Sequence, residues 1–349
     1  MTNRHQEEHS LKSRRICELP AVYLPGSSQI ENSFFDRKDE SDMKDMIKKV
    51  PVPLCGVMLG FAALGNLLQS YGEGIRSVCG IVAAFLLILI FAKLLLFPQM
   101  IKEDMKNPIM ASVAGTFPMA LMLLSTYVKP YIGAAAMYIW FFAIALHIVL
   151  IVYFTVKFVL KLQLPKVFAS YYIVYVGIAV AAVTAPAYEQ LGIGTAAFWF
   201  GFVTLIILLV LVTIRYVKCP EVPEPAQPLI CIYAAPTSLC IAGYVQSVTP
   251  KSRGFLLAML VVATVIYIFA LVKAIGYLKL KFYPSYAAFT FPFVISAIAT
   301  KQTMACLANM GQPIPALKYL VLIETIIAVV LVVYTFIRFM GFIFAGEKK

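Results

Sequence analysis

Apolar residues in this chain run in long blocks instead of alternating with polar ones. About ten blocks reach the length of about 20 residues that a helix needs to cross a bilayer. They lie near 51–70, 77–97, 109–127, 132–157, 167–187, 193–215, 229–248, 254–277, 284–305 and 316–341. Most connections between them are short, so consecutive spans are expected to form antiparallel hairpins. The longest connection on the charged side, Cys219 to Pro228, is proline-rich and stiff and separates the sixth span from the seventh.

The blocks are of two kinds. Odd-numbered spans carry proline within or at the end of the segment (Pro51 and Pro53, Pro118, Pro186, Pro236, Pro292) and are rich in Gly, Ala, Ser and Thr. Even-numbered spans have no interior proline and are dense in Leu, Ile, Val and Phe, as in AAFLLILIFAKLLLF from Ala83 to Phe97. A broken helix is tolerated at membrane depth where neighbours or a water-filled lumen satisfy its freed carbonyls, so the odd spans are expected inside and the even ones against lipid. Pro118, Pro186, Pro236 and Pro292 are the expected kinks. The other account of this pattern is tight helix packing, which small residues and proline also serve.

The ninth block, YPSYAAFTFPFVISAIAT from Tyr283 to Thr300, concentrates these features. It is uncharged, Pro292 interrupts its helix, and small residues on both sides leave volume that an aromatic can occupy. Phe291 and Phe289 are the candidates for a phenylalanine lying across a pore, against the plainer role of interhelical packing.

Composition and charge sharpen this picture. The chain has 349 residues, 61% of them hydrophobic and 13% charged, which cannot cover a soluble surface. The net charge of +12 does not point to nucleic acid, because Lys and Arg fall in alternate connections, roughly 23 on one side against 6 on the other. That positive-inside bias places both termini in the cytoplasm of a multi-pass cell-membrane protein. The N-terminal residues lack a cleavable signal pattern, so the first span is expected to act as the uncleaved signal. Residues 1–49 are expected to be a largely disordered cytoplasmic segment, with an interfacial helix or a solvated charge run over 41–50. Residues 50–344 are the membrane domain and 345–349 a short tail. The seven cysteines show no metal or redox spacing and read as core residues, and no cofactor is implied.

Five stretches are similar to one known family: PLCGVMLGFAALGNL (Pro53 to Leu67), NPIMASVAGTFPMAL (Asn107 to Leu121), PKVFASYYIVYVGIAVAAVTAP (Pro165 to Pro186), PLICIYAAPTSLCIAGY (Pro228 to Tyr244) and YAAFTFPFVISAIAT (Tyr286 to Thr300). The chain resembles the tellurite-resistance and dicarboxylate transporter family, which includes bacterial tellurite-resistance channels, fungal malate permeases and plant slow anion channels. That resemblance implies an all-α fold of ten transmembrane helices, five hairpins in a quasi-five-fold arrangement around a central pore. It also implies a homotrimer with one pore per subunit, and a gating aromatic that matches Phe291 best and Phe289 second.

An anion crossing such a pore needs part of its hydration replaced and must not be trapped. The odd spans supply no deep charge, Glu189 near the outer end excepted. Candidate lining hydroxyls are Ser112, Thr116, Thr184, Thr237, Ser238, Ser285, Thr290 and Ser296, each of which can alternatively bond its own helix backbone. The deepest ionisable groups, Glu324, His147 and Lys93, sit on even spans. Glu324 and His147 would be the protonation sites of a proton-coupled carrier, and otherwise pair with a neighbouring helix. The expected function is therefore a gated channel for small monovalent anions. Its rival is a proton-coupled or facilitated carrier of malate-like dicarboxylates, with tellurite handling as a family side activity. An intramembrane enzyme finds no support, since HExxH and paired membrane aspartates are missing from the sequence.

Overall fold

The structure, a computed structural model, describes residues 43–345. The chain divides into two compact units, 1–45 and 46–349; of the first, residues 43–45 are described and are helical. Of the segment 1–49 expected to be largely disordered, residues 1–42 fall outside the described residues, as do 346–349 of the expected tail 345–349. In the second unit residues 46–49 are helical, and Met46 and Val50 pack on the core.

Among the described residues there is no strand, and nine helical runs are long and apolar enough to cross a membrane. The helices that matter here are α1 (Leu54–Leu68), α2 (Glu73–Leu96), α3 (Thr116–Ile132), α4 (Ala136–Phe154), the interrupted α5 (Tyr171–Tyr188), α6 (Leu191–Lys218), α7 (Ala234–Ser247), α8 (Arg253–Tyr277), α9 (Phe291–Asn309) and α10 (Leu317–Phe344). One of the nine runs, Pro108–Val159, has 52 residues and contains both α3 and α4. Straight, it would be about 78 Å long, more than twice the hydrocarbon thickness of about 30 Å. Gly133 breaks it, adopting φ +59°, a conformation that glycine takes without steric cost, and α3 and α4 pack along each other.

Burial separates two classes of helix. In the most apolar stretch of the runs holding α1, α5, α7 and α9, 72, 72, 89 and 72% of residues are buried, against 28, 33, 33 and 39% for α2, α6, α8 and α10. The exposed side chains of the second class are large and apolar, for example Ile81, Ile88 and Leu95 on α2 and Val261, Val265 and Val272 on α8. Such a surface is stable against hydrocarbon or another apolar protein face, not against water. α3, in which residues 118–125 are all buried, belongs with the buried class, and its members touch in sequence: α1 packs on α3, α3 on α5, α5 on α7, α7 on α9, and α9 back on α1.

The inner segments change helix type part way along. A short helix Pro108–Val113 stops at Ala114 and Gly115 before α3 begins. Pro118 lies in the first turn of α3 and cannot donate to the carbonyl of Ala114, four residues back. Before α7 and α9 the chain is a tighter 3-10 helix, Glu224–Tyr233 and Pro284–Phe289, and Pro236 and Pro292 again fall in the first turn of the α-helix that follows. There the missing N–H costs least. Pro186 differs: it is exposed, in the 3-10 turn Ala185–Tyr188 that ends α5. The interior break of α5 is a 3-10 turn over Val176–Ala179, around Gly177, without a proline.

Candidate functional site

Two chambers lie between the inner segments. The wider, about 290 Å³, is bordered by Gly56, Thr116, Gly177, Pro236 and Phe291, one from each inner segment, and its remaining lining also comes from these segments and the turns leading into them. The narrower, about 70 Å³, is bordered by Ala63, Leu123, Val183, Leu239 and Ile298, again one from each. Phe291 and Leu239 border both chambers and so stand at the partition between them. Neither lining contains a charged side chain among the described residues. Polar groups are sparse: Asn107, Thr116, Tyr172 and Ser285 at the wide chamber, Asn66 and Gln302 at the narrow one.

Phe291 occupies the partition because of where α9 starts. Thr290, with φ −97° and ψ −94°, is neither helical nor extended, and it turns the chain from the 3-10 helix into α9. Its hydroxyl donates to the carbonyls of Ala287, 2.7 Å, and of Gly56 on α1, 3.0 Å. Gly60, one turn further along α1, leaves room for this corner: a Cβ there would lie 2.6 Å from Thr290 Cβ and 3.3 Å from Phe291 N. Phe289 is placed differently. It is fully buried, packs on Tyr286 with ring centroids 4.8 Å apart, and borders neither chamber.

The other expected residues divide. Pro236, Pro292, Thr116 and Ser285 border the wide chamber, although Thr116 donates its hydroxyl to Val113 O at 2.7 Å. Pro118 turns to a lateral groove shared with Lys93 and Leu150. The remaining hydroxyls, Thr237 excepted, bond backbone carbonyls or neighbouring hydroxyls. Ser238 and Ser296 lie 3.1 Å apart across α7 and α9, and each also donates to Ala234 O. Ser112 donates to Ser170 Oγ at 2.7 Å, and Thr184 bonds Val180 O while accepting from Trp140 Nε1. The Thr237 hydroxyl is buried outside both chambers.

His147 and Glu324 border neither chamber. His147, fully buried on α4, donates from Nε2 to Val174 O at 2.9 Å. That carbonyl sits beside the 3-10 break of α5, so the imidazole ties α4 to the backbone next to the break. Gly177 lets it approach, since a Cβ there would come within 3.1 Å of His147 Cε1 and 2.7 Å of Met119 Sδ. Glu324 is buried on α10 beside Thr300 and Tyr267. Lys93 donates to Lys48 O and lies 3.5 Å from Met100 Sδ.

Sequence reading missed Leu239, Asn66 and Gln302. Leu239 follows Pro236 by three residues and shares its helix face, a spacing that would have pointed to it. Asn66 and Gln302 are uncharged amides in odd spans, as able as the hydroxyls there to line a lumen. No group of three or more His, Cys, Asp or Glu side chains that could hold a metal ion occurs among the described residues.

A family model described as voltage-dependent anion channel (SLAC1) matches residues 49–340, most of the chain. No curated protein matches it.

Proposed function

The chain belongs to the voltage-dependent anion channel family, and from that premise we propose that it is a gated channel passing small, weakly hydrated monovalent anions. In this reading ten helices cross the membrane, α3 and α4 counting separately, as five hairpins in quasi-five-fold order. The inner five surround a conduit that Phe291 and Leu239 close, both termini are cytoplasmic, and the assembly is a homotrimer. The observation that carries the proposal is that both chambers draw their lining from all five inner segments, without charge, and share Phe291.

Anion preference follows from how the inner helices begin. The first turns of α3, α7 and α9 border the wide chamber through Thr116, Pro236 and Phe291. A helix N-terminus carries about half a positive charge, so three of them attract an anion without fixing it as a lysine would. With few polar contacts to replace water, nitrate-like and chloride-like ions should pass more easily than strongly hydrated ones.

A proton-coupled dicarboxylate carrier is the weaker reading, because His147 and Glu324 stand outside both chambers and no fixed cation pair faces them. Purified protein in liposomes under a chloride gradient separates the two. A channel gives a reversal potential that follows the chloride ratio alone; a potential that moves with the proton gradient would favour the carrier.

A further inference from the structure

The five inner segments all run from the wide chamber to the narrow one, since each contributes earlier residues to the first and later residues to the second, with Phe291 and Leu239 at the changeover. Their C-terminal ends therefore gather around the narrow-chamber end. Each helix C-terminus carries about half a negative charge on carbonyls that lack a helical partner. Left bare, these ends would repel an anion at one mouth of the conduit.

Four cations meet those carbonyls. Lys301 donates from Nζ to Leu67 O, at the end of α1, at 2.8 Å, and to Ser70 Oγ at 2.6 Å. Lys129 donates to Ala187 O at the end of α5. Lys251 donates to Val248 O, just past the end of α7, and at 3.1 Å to Tyr244 O, which also accepts the Val248 N–H. On α3 the free carbonyl is that of Thr126, because the residue four further on is Pro130, which has no N–H. Arg76 Nη2 lies 3.4 Å from it, while Arg76 Nε donates to Asn66 Oδ1 in the narrow-chamber lining at 3.2 Å. The end of α9 is closed by backbone instead, with Met310 and Gln312 N–H on Cys306 and Leu307 O.

These four are among the six cations that depart from the charge bias along the chain. Glu73 pairs with Arg76 at 2.8 Å, and Glu189 is exposed at the same end. Among the described residues, Lys129, Lys251 and Lys301 have no carboxylate within ion-pair reach.

We propose that Arg76, Lys129, Lys251 and Lys301 form a cationic collar that reverses the sign of the potential at the narrow mouth and raises the local concentration of the permeating anion there. The proposal rests on the anion-channel reading and adds residues that set its throughput. A collar held on carbonyls keeps its charge near the conduit without placing it inside, where it would trap the ion.

The test compares full-length wild type with the triple variant Lys129→Gln, Lys251→Gln, Lys301→Gln in planar bilayers under chloride. Glutamine keeps an N–H donor for each carbonyl and removes the charge. The collar predicts a conductance lower by about threefold at low salt, and equal to wild type near 1 M salt, where the screening length falls to about 3 Å. Equal conductance at low salt overturns it, and so does an equal loss at both salts, which is a packing effect. Wild type alone gives a second readout should the variant fail to fold. Diluting the salt on the collar side should lower conductance less than in proportion, and a proportional fall overturns the proposal. A wild type that conducts no anion defeats both this inference and the reading beneath it; one that conducts without these salt effects defeats the collar alone.

Discussion

Thr290 donates its hydroxyl to the carbonyl of Gly56 at 3.0 Å, and this bond fixes the residue before Phe291 to the first inner helix. The corner is tight, because Gly60 faces the same threonine with no room for a Cβ. Gly60→Ala should therefore destabilise the protein by about 1–3 kcal/mol, the usual range for overpacking. Adding Thr290→Gly, which deletes the atoms the new methyl meets, should recover part of the loss. Thermal unfolding of the single and double variants checks this; a neutral Gly60→Ala would mean that the corner is loose.

The two phenylalanines flanking Thr290 should behave oppositely. Phe289 is enclosed by protein and borders neither chamber, so Phe289→Ala is expected to cost about 3–5 kcal/mol of stability and to leave current per folded channel unchanged. Leu239→Ala, at the partition, should raise current. Recording both variants at matched folded amounts tests the assignment, and an opening effect of Phe289→Ala would transfer the gate to that residue.

His147 is expected to matter for structure. Its Nε2 donates to Val174 O beside the break of α5, and removing the donor deletes a buried hydrogen bond between α4 and α5, a loss of about 1–3 kcal/mol. His147→Ala should thus lower the unfolding temperature without making the reversal potential respond to pH. A proton-dependent reversal potential in wild type that disappears in His147→Ala would restore the carrier.

Glu324→Gln should conduct as wild type does, with the reversal potential set by the anion ratio, because the carboxyl lies outside both chambers. Flux measured with and without a proton gradient decides it. Loss of flux only when the gradient is the driving force would contradict the channel reading.

Much of this arrangement could be read in the sequence because a membrane writes its position into composition. Helices against lipid need leucine-like faces, as in α2 and α8, and broken helices need small residues and proline. The parts that stayed hidden have physical reasons too. The break in α5 has no proline; it holds Gly177, against which packs His147, distant in sequence. Phe289 and Phe291 look equivalent as letters, but one ends a 3-10 helix and the other starts an α-helix, so they face different ways. Leu239 is one leucine among many until its neighbours are known. Ser238, Ser296, Thr184 and Thr290 were candidates for the lumen, yet their hydroxyls hold backbone carbonyls and neighbouring helices.

The most direct measurement is chloride current through purified protein in planar bilayers, wild type beside Phe291→Ala. Removing the ring should join the two chambers and raise current about tenfold, the effect of lowering a barrier by about 1.4 kcal/mol. Unchanged current from a Phe291→Ala protein that folds as wild type does would contradict the claim that this side chain closes the conduit.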